Sequence, residues 1–196
     1  LLKNEDHILP LKPGTKLGVF GALAADRGQM TGAWAIGARP EDCISIVDAL
    51  KTNNVQYQYS ADGTDLSKIA AVSDVLIAAV GETKEESGEA ASRADITLKP
   101  KDMELVRALK ATGKPVVAVL FNGRPLAIPE LDRTVPAIVE AWHPGIYAGS
   151  AVMHVLFGIT NPSGKLTTTF PAAAGQCPMY YAHPNTGRPG GKSKFT

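Results

Sequence analysis

Cysteine is nearly missing from this chain: Cys43 and Cys177 stand far apart, with no C-x-x-C spacing. That pattern reads as two unrelated thiols, supports neither a disulfide nor a zinc site, and leaves the compartment open. Strong charge of either sign is missing as well. Twenty lysines and arginines face nineteen acidic residues, a formal net charge of +1. There is accordingly no electrostatic footprint for nucleic acid and no basic block of the kind that docks on anionic membranes. No apolar run approaches the ~20 residues needed to span a bilayer. Neither nucleic acid nor a membrane is expected as a partner.

Missing motifs exclude further classes. The first apolar run is followed by VFGALAADRG, without G-x-G-x-x-G, and no P-loop occurs anywhere, so nucleotide binding is not expected. AGSAV lacks the closing glycine of the G-x-S-x-G elbow of serine hydrolases. His7, His143, His154 and His183 are scattered and form no H-E-x-x-H pair; each reads as an ordinary surface or packing residue. No cofactor or metal is expected. NPS (161–163) is not a glycosylation acceptor, because proline holds its middle position. The opening LLKNEDHILPL has no methionine, no basic n-region and no small-residue cleavage site. The closing NTGRPGGKSKFT is rich in glycine and lysine and ends no regular element. Both ends read as the interior of a longer protein.

What is present suits one well-cored globular domain over residues 1–196: 44% of the chain is hydrophobic and 20% charged. Short apolar runs at 16–20, 55–59 (weaker and alternating), 74–80, 115–120 and 137–142 predict strands, most of them buried on both faces. Helices are predicted over 40–54, 66–73, 99–113 and 145–158. The first opens on Pro40-Glu41-Asp42, and the third runs from Pro100 to a stop at Gly113. Alternating strands and helices give βαβ units, hence an α/β fold: a three-layer α/β/α sandwich around a mostly parallel sheet. No internal repeat is visible, and the tail from about 160 is loop-rich.

Function in such folds collects at the carboxyl ends of the strands, here 21–34, 81–93, 122–126 and 143–145. The second of these, GETKEESGEAASR, carries Glu82, Glu85, Glu86 and Glu89. Glu85 and Glu86, beside Lys84, read as solvated, and Glu82, directly after the strand, as a cap or brace. Glu89 has small neighbours that let a ligand approach, with Arg93 four residues on. A carboxyl shielded by a bound sugar has its pKa raised by desolvation and can act as a general acid. A plain solvated acidic loop fits the same residues.

LLKNEDHILPLKPGTKLGVFGALA, GAW, VGETKEESGEAASRADITL, ATGKPVVAVLFNGRPLAI, AIVEAWHPGIYAGSAVMHVLFGITNPSGKLTTTFP and PMYYAHPNTGRP resemble successive motifs of glycoside hydrolase family 3, nearest its bacterial periplasmic β-glucosidase subgroup. The resemblance covers nearly the whole chain. It implies a six-stranded α/β/α sandwich that follows a (β/α)8-type barrel in the same parent chain, with the active site between them. It also implies retaining, exo-acting hydrolysis of β-glucosides, with an aspartate nucleophile in an S-D-W-like barrel motif. No such tripeptide occurs here, and a barrel of ~250 residues does not fit in this chain.

The subgroup pattern G-E, six residues, E-A-S-S-R matches Gly81-Glu82 and Glu89-Ala90-Ala91-Ser92-Arg93, with alanine at 91 as the departure. It assigns the acid/base to Glu89, with Glu82 as the other candidate. Trp34 matches a tryptophan at the mouth of the site that can stack on the leaving-group sugar; packing under a loop is its plain reading. Arg93 is expected to hold the acid loop or to contact substrate. Asn122-Gly123-Arg124 and His143-Pro144-Gly145 read as structural turns. The resemblance places the parent in the periplasm or outside the cell. The competing expectation is a non-catalytic docking or carbohydrate-binding module of the same fold.

Overall fold

In a computed structural model, which describes residues 1–179 and Ala182, the run VLIAAVG forms the central strand β4 (Val75–Gly81), buried along its whole length. The two-residue period of a strand divides its side chains between two faces. Ile77 and Ala79 enter one apolar cluster, while Leu76, Ala78 and Val80 enter another. Parallel to β4 on one side lies β5 (Val116–Phe121), equally buried, and beyond it β6 (Ala137–Glu140). On the other side lie β2 (Leu17–Phe20) and then β3 (Tyr57–Ser60), also parallel. The two-residue strand β1 (Lys3–Asn4) closes the far edge antiparallel to β6. The order is β1-β6-β5-β4-β2-β3.

Helices cover both faces. Ile46, Ala49 and Leu50 of α1 (Ile46–Thr52) and Val152, Met153 and Leu156 of α5 (Ala148–Leu156) pack on the Ile77 face. Helices α2 (Leu66–Val72), α3 (Pro100–Ala111) and α4 (Pro129–Thr134) supply Ile69, Met103, Val106, Leu109 and Leu131 to the Leu76 face. Each fully buried leucine or isoleucine stabilises the fold by roughly 1.5–3 kcal/mol before entropy is counted. The architecture is the expected three-layer α/β/α sandwich with a mostly parallel six-stranded sheet.

The sequence reading misplaces some boundaries. Helix α1 begins at Ile46, not Pro40, because Ser45 and Asp48 form a capping box: Ser45 Oγ accepts from the Asp48 N–H at 3.1 Å, and Asp48 Oδ2 from the Ser45 N–H at 3.0 Å. Pro40–Asp42 is a separate 3₁₀ turn. Strand β6 stops at Glu140 because Trp142 takes φ +54° and its N–H turns to the Glu140 carboxylate at 2.9 Å. Strand β3 starts two residues late, and β1 and α4 have no counterpart in the pattern because they are too short to carry a period. Cys43 is buried and Cys177 exposed, both free thiols. From 160 to 179 the regular structure is one 3₁₀ turn, Ala174–Gln176. Most of PMYYAHPNTGRP, with His183, lies outside the described residues.

One feature of the order positions the site. From β2 the chain moves outward to β3, then crosses back to β4 and continues to β5 and β6. Loops leaving β2 and β4 at their carboxyl ends therefore diverge, and the crevice between them is where such sheets bind ligands.

Candidate active site

Strand β4 ends on Gly81, whose φ of +130° turns the chain sharply outward; a Cβ there would overlap the Phe121 carbonyl. The next residue, Glu82, is 1% exposed, and its N–H donates to that same carbonyl at 2.7 Å. A carboxylate this deep must be paired. Arg93 Nη1 donates to Oε1 at 2.8 Å, Arg124 Nε lies 3.1 Å from the same oxygen without a hydrogen bond's alignment, and the Gly123 N–H donates to Oε2 at 3.2 Å. Glu82 is thus surrounded by donors and withdrawn from any ligand: a brace, as the sequence suggests.

Glu86 forms a second layer. Its Oε2 accepts from Lys99 Nζ and, at 2.7 Å, from the Thr83 N–H, while Arg93 Nη1 lies 3.4 Å from Oε1. Burial works to lift this carboxyl, but the Lys99 and Thr83 bonds outweigh it and hold it below its usual range. Reading Glu86 as simply solvated therefore missed its role. The nearby presence of Lys99 is not visible from the loop's own sequence. Glu85 is exposed as expected.

Glu89 rises from this paired base into solvent. Its neighbours carry the turn: Gly88 has φ +106° and Ala90 φ +60°. For alanine the left-handed region costs on the order of 1 kcal/mol or more, so surrounding contacts must hold the loop in shape. Gly88 also lets the loop after β2 approach. A Cβ on it would stand 2.9 Å from Ala33 Cβ and 3.5 Å from Trp34 Nε1. Trp34 is 69% exposed, so its indole lies against the loop that bears Glu89, with much of its surface open. Packing under a loop, its plain reading, does not describe it.

The loop after β2 reaches the loops that follow β4 and β6. Gln29 Oε1 accepts from the Lys84 N–H at 2.6 Å, and Gln29 O pairs with His143 Nδ1 at 3.2 Å. Burial pushes the His143 imidazole below its usual range; it is a packing residue, as expected. Gly145 N–H donates to Met30 O at 2.8 Å, tying the loop after β6 to the same structure.

The structure brings Trp34 and the Glu89 loop together at the switch point and places Arg93 beneath them, with Nη1 engaged by Glu82 and Glu86. Sequence reasoning took Arg124 as part of a structural turn and did not foresee its reach: Nη2 donates to the carbonyls of Glu86 and, at 2.8 Å, Ala91. The signal was present: an arginine three residues past a fully apolar strand, next to a strand whose end carries a glutamate. Burial at that point requires a pairing.

The model of the Glycosyl hydrolase family 3 C-terminal domain matches residues 1–196. A periplasmic β-glucosidase of Salmonella typhimurium is 36% identical, the match covering 96% of this chain and 29% of that protein. A β-xylosidase of Formosa agariphila is 36% identical over 92% of this chain and 28% of its own length. The crystal structure of a β-glucosidase from Listeria innocua in complex with gluconolactone superposes with a TM-score of 0.90 at 36% identity, covering 96% of this chain and 27% of that one. The chain thus spans less than a third of the length of each of these relatives. With a family model matched end to end and relatives above a third identical across nearly all of it, the chain belongs to glycosyl hydrolase family 3 as its C-terminal domain.

Proposed function

We propose that this domain supplies the general acid/base of a retaining β-glucosidase, that Glu89 is that group, and that the nucleophile comes from a barrel domain of the same parent chain. In the first step protonated Glu89 gives its proton to the glycosidic oxygen while the barrel's carboxylate attacks the anomeric carbon. In the second, ionised Glu89 takes a proton from the water that releases the sugar. Retaining chemistry needs the two carboxyls ~5–5.5 Å apart, which requires one of them to project from the domain toward its partner. The observation that carries the reading is the contrast within one loop: Glu82 and Glu86 are locked by cationic side chains, whereas Glu89 is exposed on a turn. Trp34, beside that turn, offers an indole face to the leaving-group sugar, removing apolar area of the pyranose from water. Arg93 fixes the base of the loop, and through it bears on substrate.

The test is Glu89→Ala in the full-length enzyme, assayed on a dinitrophenyl β-glucoside and an alkyl β-glucoside with and without azide. Loss of a general acid costs about 10²–10⁴-fold where the leaving group needs protonation. The alkyl glucoside should nearly cease to turn over. The activated one should still form the glycosyl-enzyme, with azide hastening its release as β-glucosyl azide. Near wild-type rates on both substrates would make Glu89 an ordinary loop residue and favour a non-catalytic module.

A further inference from the structure

We infer that Arg124 is a positioning residue for the acid/base carboxyl: one guanidinium nitrogen pins both ends of the turn that carries Glu89, so that the buried end of β5 sets where the proton is delivered. This rests on Glu89 being the acid/base.

The geometry is specific. Arg124 Nη2 donates to Glu86 O and to Ala91 O, carbonyls that flank the segment Ser87–Ala90. Within it the Ala91 N–H reaches Gly88 O at 3.3 Å, and Gly88 and Ala90 both hold left-handed φ, a conformation with little intrinsic support. At the other side of the guanidinium, Nε faces the buried Glu82 at 3.1 Å. The floor beneath is equally tight. Ser87 packs so closely on Gly123 that no side chain fits there, and Asn122 Nδ2 donates to Arg124 O at 2.7 Å, holding the arginine's own backbone. Asn122 is fully buried and follows the last residue of β5. The chain of contacts therefore runs from the core of the sheet through Asn122 and Arg124 to the turn.

Arginine suits this place because its planar fork presents Nε and Nη2 at fixed separation, facing a carboxylate and two carbonyls at once. Lysine has one nitrogen and cannot reach both sets. A misplacement of about 1 Å near the reacting atoms can cost on the order of 10²-fold. A loop freed at 86 and 91 moves Glu89 by more than vibration, without removing its carboxyl.

The experiment is Arg124→Lys and Arg124→Gln in the full-length enzyme, with Glu89→Ala in parallel, measuring kcat/KM on the alkyl and dinitrophenyl β-glucosides. The alkyl glucoside depends on protonation of its leaving group and the dinitrophenyl glucoside does not. Both substrates are assayed on one preparation, so the fraction of folded enzyme cancels in their ratio. The expected result is a fall of the alkyl-to-dinitrophenyl ratio by about 10–100-fold in both Arg124 variants, with azide accelerating turnover of the activated substrate. A ratio unchanged by either variant, while Glu89→Ala collapses it, overturns the role of Arg124 and leaves Glu89 standing. A ratio unchanged by Glu89→Ala overturns both.

Discussion

Glu140, the last residue of β6, illustrates how burial acts on one side chain. Burial pushes its carboxyl up to about 8, with the Trp142 N–H and Asn122 pulling the other way; Oε2 is buried without a partner among the described residues. An unfolded glutamate titrates near ~4.3. Between these values the folded chain keeps a proton that the unfolded chain has released. The contribution is therefore fully present below the lower value, falls by up to about 1.4 kcal/mol per pH unit as pH rises, and is gone above the higher. Glu140→Gln removes that titration. Denaturant midpoints measured at pH 5, 6.5 and 8 should fall in the wild type and stay nearly level in the variant; parallel curves would mean that Glu140 is ionised throughout. Nothing in AIVEAW identifies such a group, because a glutamate at a strand end reads as solvated until the neighbouring loops are in place.

Among the elements, α5 was legible by its small residues and terminating glycine, yet the purpose of those residues was not. Gly149 lies in its first turn with its N–H donating to Ile44 O at 2.7 Å, and a Cβ there would run into the Ser45 carbonyl. The helix thus packs directly against the capped start of α1. Alanine is the better helix former by about 1 kcal/mol, so propensity predicts that Gly149→Ala stabilises. Overlap with backbone that is already hydrogen-bonded outweighs that gain, and forced shifts of this kind cost about 1–3 kcal/mol or more. The variant should lower the thermal midpoint by several degrees; an unchanged or higher midpoint would show that α1 and α5 separate freely. Strand β4 was read correctly for the opposite reason. A run buried on both faces needs no partner to be recognised, since every side chain in it is apolar.

For the molecule as a whole, the carboxyl rim carries both the candidate chemistry and large exposed apolar side chains. Trp34, Ile36 and Tyr147 are 69%, 101% and 70% exposed, and Ile146 is also open. Apolar groups gathered on loops of one rim favour association. The chain by itself should self-associate at high concentration in sedimentation experiments and, on the proposed division of the two carboxyls between domains, should not hydrolyse β-glucosides. Replacing Ile36 and Tyr147 with serine should shift it toward monomer; identical sedimentation of the two forms would remove this rim as the cause.

The sequence by itself determined the layers, the mostly parallel sheet and the loops in which chemistry could lie, because hydrophobic period and chain connectivity are local properties. Resemblance to the family's motifs, rather than these local properties, is what pointed to Glu89 and Trp34. Tertiary structure decided which carboxylates are available. Glu82, Glu86 and Glu89 stand within eight residues of one another, and their sequence surroundings separate them only in part, leaving Glu86 to read as solvated beside Lys84. Glu82 is held by Arg93 of its own loop, with Arg124 from beyond β5 beside it, and Glu86 by Lys99 at the start of α3. Burial and part of the pairing depend on neighbours distant in the chain, so the depth of Glu82 and the binding of Glu86 by Lys99 become visible only once the strands are assembled.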